Sequence, residues 1–131
     1  MEVIIFGGSG FLGSWVAAKL IKSSYKVIIF DLNIDKSLLT KFLGKEISKI
    51  KFISGDITDY EQVLSSMNNI KYVINLAGLM TPDCSKNPVL GAQVNIIGSI
   101  NVFEAVKKKG ISFLIYASSA GIFGQDDKYY P

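Results

Sequence analysis

The 131-residue sequence contains no histidine and no arginine, a single cysteine, Cys84, and three prolines. Without histidine, a Ser-His catalytic triad and the usual His/Cys zinc sites cannot be assembled within it, so no metal site is expected. One cysteine cannot close an internal disulfide, which suits a reducing, cytoplasmic setting. Cys84 falls in the polar stretch TPDCSKNP, read as a loop, and no imidazole is available to activate it. The longest apolar runs, such as Val3 to Phe6 and Val27 to Phe30, have the length of strands, so no membrane segment is expected. The N-terminus enters the first of these runs with no basic region or small-residue cleavage site, so no leader is expected either.

The basic residues are all lysine, fourteen of them against eleven acids, for a net charge of +3. They are scattered except for Lys107 to Lys109, which close a predicted helix where cations complement the helix dipole. No basic stripe interleaved with aromatics is present, which argues against nucleic acid as a partner. A hydrophobic content of 49% with 19% charge is that of a globular chain able to bury a core.

What is present is regular alternation. Val3 to Phe6, Val27 to Phe30, Ile50 to Ile53, Tyr72 to Leu76 and Phe113 to Ala117 read as five strands. Between them, apolar residues recur at helical spacing, as in Leu12, Val16, Ala17, Leu20 and Ile21. A short helix is expected to close at Gly44, another to be capped by Asp59, and a long one to run from about Val89 to Lys109. Strands apolar on both faces and separated by helices specify a parallel sheet covered on both sides. With right-handed crossovers the expectation is a Rossmann-type doubly wound α/β sheet, one domain over residues 1–131, in the strand order 3-2-1-4-5.

The strongest chemical signal is FGGSGFLG, residues 6–13, between the first strand and the first helix. It fits G-x-x-G-x-x-G through Gly7, Gly10 and Gly13, and G-x-G-x-x-G through Gly8, Gly10 and Gly13. Such glycines permit a tight turn, a close approach of backbone N–H groups to a pyrophosphate, and close packing of helix on strand. Asp31 follows eighteen residues after Gly13, at the tip of the second strand. A carboxylate there can accept both hydroxyls of an adenosine ribose and would repel a 2′-phosphate, which favours NAD. Lys36 lies close enough in sequence to keep NADP open.

Five motifs in order then resemble the extended short-chain dehydrogenase/reductases, and among them the NAD-dependent nucleotide-sugar epimerases and dehydratases such as UDP-glucose 4-epimerase. They are GGSGFLG, the strand-end Asp31, GDITD at 55–59, NLAG at 75–78 and YASSAGIFG at 116–124. The resemblance covers the whole chain. It implies that Phe11 and Leu12 lie along the pyrophosphate, that Asp56 and Ile57 border the adenine, and that Leu76, Ala77 and Gly78 run beneath the cofactor. The alternative for Asp56 is a helix-capping turn.

Gly91, Asn95, Gly98, Val102 and Ala105 fall on one small-residue stripe of the long helix. The resemblance implies that Asn95 reaches toward the cofactor and the fourth strand; the alternative is an amide satisfied by neighbouring backbone. It also places the catalytic hydroxyl at Ser119, with Ser118 serving the turn, and implies a homodimer through the long helix. The expected chemistry is transient hydride transfer from a sugar carbon to nicotinamide and back. The resemblance supplies its base as a tyrosine with a lysine four positions later, and no Tyr-x-x-x-Lys occurs in these 131 residues. The chain therefore reads as the N-terminal, cofactor-binding part of such an enzyme, inactive alone. Two rivals stand beside it: an NADP-dependent carbonyl reductase of the same superfamily, and a noncatalytic dinucleotide-sensing or partner-binding module.

Overall fold

The computed structural model describes residues 1–119. Its elements are β1 (Glu2–Phe6), α1 (Phe11–Lys22), β2 (Lys26–Asp31), α2 (Ser37–Leu43), a 3-10 turn (Gly44–Lys49), β3 (Lys51–Ser54), α3 (Tyr60–Ser66), β4 (Tyr72–Asn75), α4 (Thr81–Lys86), α5 (Pro88–Ala92), a π-helical segment (Gln93–Gly98), α6 (Ser99–Lys108) and β5 (Phe113–Tyr116). The expected motif YASSAGIFG lies outside the described residues beyond Ser119, as do Tyr129 and Tyr130.

All strand pairs are parallel, and the order is β3-β2-β1-β4-β5, as the alternation of strands and helices predicts. Alternate residues of the central strands face two separate cores. Ile4, Phe6, Ile28, Phe30 and Val73 pack with Val63, Met67, Val102 and Ala105, on the side of α3 and α6. Val3, Ile5, Val27, Ile29 and Ile74 pack with Ala17, Ala18, Ile21, Leu39 and Leu43, on the side of α1 and α2. Burying one such side chain contributes roughly 2–3 kcal/mol, so the central strands hold the fold. The register sets Phe6 between Phe30 and Asn75, and so brings the carboxyl ends of β1, β2 and β4 into line.

Three local features differ from the expectation. The stretch holding Cys84 is not a loop: Thr81–Lys86 forms α4, with Pro82 in its first turn. Proline tolerates that position because the missing N–H would have had no intrahelical partner there. The long helix begins at Pro88 and widens into a π-helical segment over Gln93–Gly98. Its 21 residues, Pro88–Lys108, include an 18-residue stretch with a mean hydropathy of 1.4, long and apolar enough to cross a membrane, which no run of consecutive apolar residues signalled. Here the helix lies on the sheet: Gly91, Gly98, Val102 and Ala105 are buried beneath it, while Ile96, Ile100 and Phe103 face outward.

Candidate functional site

The glycine turn between β1 and α1 is shaped by two close approaches. Gly7 has φ +74°, and a Cβ there would come 2.7 Å from the backbone nitrogen of Ala77, so the turn lies directly against the end of β4. A Cβ on Gly13 would collide with the carbonyl of Gly7 and stand 2.6 Å from Cα of Gly8, so the helix packs onto its own entry turn. Gly10 is different: its nearest neighbour would be the Gly7 carbonyl, at 3.4 Å, which is ordinary contact. Gly10 is the N-cap of α1, with no side-chain cap, so the first-turn N–H groups and the positive end of the helix dipole are offered outward. Phe11 and Leu12 start the helix with exposed side chains, which leaves their backbone as what they bring to the turn.

Asp31 ends β2 facing this turn. Its Oδ2 accepts from the Ser9 N–H at 2.9 Å, and its Oδ1 accepts from the Asn33 N–H at 3.4 Å. A carboxylate offers about four lone-pair sites, so these two bonds leave it able to accept two more. The Ser9 hydroxyl oxygen is buried and has no partner among the described residues. Lys36, the cation that kept a 2′-phosphate open, has its Nζ over the Phe52 ring, 4.5 Å from the centroid.

Gly7, Ser9, Asp31, Asp56, Ile57 and the residues Leu76 to Leu79 line one groove of about 400 Å3 at the carboxyl ends of the strands. That is where open α/β sheets bind ligands. Asp56 forms a turn of its own: Oδ1 accepts from both the N–H and the hydroxyl of Thr58, each at 2.8 Å. Helix capping belongs instead to Asp59, whose Oδ1 accepts from the Gln62 N–H at 3.1 Å. That backbone bond, with help from the Gln62 side chain, holds the Asp59 carboxyl below its ordinary range. Ile57 is 7% exposed and belongs to the core as well as to the groove wall, seated against Gly98.

A second pocket, of about 290 Å3, continues from Leu76 to Leu79 toward β5 and is also lined by Asn75, Asn95, Tyr116, Ser118 and Ser119. Asn95 holds the loop that leaves β4. Its Oδ1 accepts from the Leu79 N–H at 2.7 Å, and its Nδ2 donates to the Leu79 carbonyl at 3.0 Å. Nδ2 also lies 3.5 Å from Cys84 Sγ, and together these contacts fix the Leu76–Leu79 loop between the two pockets. Gly78 leaves room for it, since a Cβ there would stand 3.2 Å from Asn95 Oδ1. Ser118 and Ser119 follow β5 at exposed positions.

The sequence pattern of the 3-beta hydroxysteroid dehydrogenase/isomerase family matches residues 4–129. The chain belongs to that family. Relatives bear out the resemblance to nucleotide-sugar epimerases. The UDP-glucose 4-epimerase of Neisseria gonorrhoeae is 32% identical over 98% of this chain and 39% of its own length. The decarboxylating sterol-4-alpha-carboxylate 3-dehydrogenase of Saccharomyces cerevisiae is 35% identical over 95% of this chain and 37% of its own length. Among solved structures, UDP-glucose-4-epimerase from Stenotrophomonas maltophila, with bound NAD and formylated UDP-arabinopyranose, superimposes with a TM-score of 0.85 at 29% identity, over 97% of this chain and 39% of that one. The chain thus spans about two fifths of the length of the family members it matches.

Two residues of this family member do work that the sequence does not announce. Ser9 ties the glycine turn to Asp31 across 22 positions, through a backbone N–H that no side-chain pattern reveals. Asn101 donates from α6 to the carbonyls of Ile57, at 3.0 Å, and Thr58, at 2.9 Å, and so pins the loop that carries Asp56. An unexplained amide six positions after Asn95 was the one available signal.

Proposed function

We propose that residues 1–131 are the NAD-binding part of a nucleotide-sugar epimerase or dehydratase that works by transient hydride transfer to and from the cofactor. The observation that carries this reading is the Asp31 carboxylate, held by the Ser9 N–H beside the uncapped N-terminus of α1. The residues present fit the cofactor: Gly7 and Gly13 let the turn close tightly, since a Cβ at either would meet backbone, and the buried Ser9 hydroxyl in the groove lining lacks a partner among the described residues. First-turn N–H groups at Phe11 and Leu12, with Ser9, would hold the pyrophosphate. Asp31 would accept the adenosine ribose hydroxyls, Asp56 and Ile57 would border the adenine, and the backbone of Leu76 to Gly78 would run under the rest. When bound, NAD supplies a reversible hydride acceptor. Ser119 would hydrogen-bond the reacting hydroxyl or carbonyl of the sugar. The proton transfer needs a base that no Tyr-x-x-x-Lys pair supplies in this sequence, so the part alone binds cofactor without turnover.

A homodimer through the outward Ile96, Ile100 and Phe103 of the long helix, and a cytoplasmic location, go with this reading. A second reading, oxidation of a sterol or steroid alcohol, is favoured by the family pattern and by the yeast sterol dehydrogenase. Both use the same cofactor half. The direct test is calorimetric titration of the chain with NAD and with NADP. Binding of NAD at least tenfold tighter than NADP is expected; binding of neither removes the reading.

A further inference from the structure

Asn75 ends β4 fully buried, at 0% exposure. Its Oδ1 accepts from the Ala77 N–H at 3.2 Å, which fixes the orientation of the amide, because the opposite flip would set two donors against each other. Its Nδ2 then has no hydrogen-bond partner among the described residues. Buried amide groups are rarely left so, and the cost of leaving one unpaired is the full loss of its water. The adjacent carbonyls are already engaged: that of Phe6 accepts from Leu76 at 2.9 Å, and that of Asn75 itself from Ala117 at 3.1 Å. On the flanking strands the register places Phe6 and Tyr116 beside it, and Phe6 offers no acceptor in its side chain.

The place of this donor is as informative as its isolation. Asn75 lines the pocket that also holds Ser119, next to the Leu76–Leu79 loop. Asn95, the other amide of that pocket, engages Leu79 with both of its polar atoms. Ser99, whose hydroxyl is likewise buried and unpartnered, lines neither this pocket nor the larger groove. The unpartnered amide is therefore the one at the ligand end of a strand.

We infer that Asn75 is a binding residue for the nicotinamide half of the cofactor, its Nδ2 donating to an oxygen of the nicotinamide riboside. The inference rests on the NAD reading above, and NADH and ADP-ribose separate the two. Both carry the ADP half, and only NADH carries the nicotinamide. The full chain and its Asn75→Leu and Asn75→Asp variants are titrated with each, and their folding is followed by thermal unfolding. Asp keeps an acceptor for Ala77 and removes the amide donor, so it tests the donor where Leu disturbs the loop. The folded Asp variant is expected to lose roughly tenfold in NADH affinity while keeping its ADP-ribose affinity, and the Leu variant to lose at least as much toward NADH. Equal losses for both ligands, or no loss for either, overturn the inference and leave the NAD reading standing. Binding of neither ligand by the unaltered chain removes both. The unaltered chain gives a reading that needs no variant: the side-chain 15N–1H2 signals of Asn75 should shift with NADH and stay in place with ADP-ribose. Signals that stay in place with NADH overturn the inference.

Discussion

The two ends of the groove are built by different means. At the β1–β2 end, the glycine turn is closed on itself: Gly13 packs against Gly7 and Gly8, Gly7 against Ala77, and Ser9 donates to Asp31. At the β4–β5 end, Asn95 fixes one loop, while Ser118 and Ser119 stand exposed and the Asn75 amide lacks a partner among the described residues. The sheet repeats the contrast, since β1 is buried over four of its five residues and no residue of β5 is. The first end is a finished cradle for a dinucleotide, held by contacts among neighbours. The second is lined by exposed positions and by a loop held from one side, with few contacts among neighbours.

The finished end is the one a single added methyl should break. Gly13→Ala puts its Cβ against backbone atoms that have no rotamer by which to yield, and about 3 kcal/mol of stability should be lost, read from urea unfolding. Gly10→Ala meets only ordinary contact and should stay close to the unaltered stability. A comparable loss at both positions would mean that the turn relaxes and that the cradle is not held by close packing.

Asp31→Asn probes the charge with less disturbance of the fold, because its amide oxygen can still accept from the Ser9 N–H. NAD affinity should fall by about tenfold, and the preference over NADP should narrow, since the charge that repels a 2′-phosphate is gone. Unchanged discrimination would assign it to some other residue.

At the unfinished end the corresponding test is association. Ile115 is 63% exposed on an edge strand, beside Phe113 and Tyr116, and bare apolar edges pair with one another. The chain is expected to self-associate, and Ile115→Lys to return it toward the monomer in light scattering after size exclusion. A monomer without the substitution would show that the edge is harmless as it stands.

How much of this was legible in the sequence depended on the range of the contact. Strands apolar on both faces announced a covered parallel sheet and its order, and the spacing from Gly7 to Asp31 announced the turn and strand end that the structure sets side by side. The second is a pattern within one strand–turn–helix–strand unit, and the first repeats such units along the chain. The α4 helix was hidden because TPDCSK has no apolar period. The π-helical segment was hidden because Gly91, Asn95 and Gly98 keep a helical spacing into and through it. The bonds from Ser9 to Asp31 and from Asn101 to the Ile57 loop join residues 22 and 44 positions apart, through backbone groups that every residue possesses. Asn95 showed the limit most clearly: the stripe marked it as an amide needing partners, and which backbone supplies them, that of Leu79, belongs to the packed structure.

The smallest expected effect separates a local cap from the groove beside it. Asp59 caps α3 through Gln62, and that bond lowers its pKa in the folded chain. A carboxyl whose folded pKa is depressed contributes stability above its unfolded pKa, near 4, and loses that contribution as pH falls through the folded value. Asp59→Ala should therefore lower the urea midpoint at pH 7, and the difference from the unaltered chain should shrink as pH drops below 4. NAD affinity at pH 7 should fall less than the midpoint does, because Thr58 and Asn101 still hold the Asp56 loop when the Gln62 side chain, which accepts from the Asp56 N–H and is itself held by Asp59, is released. A fall in NAD affinity in full step with the midpoint would show that α3 and the adenine-side loop move as one piece, and that the cradle extends further along the chain than the glycine turn and Asp31.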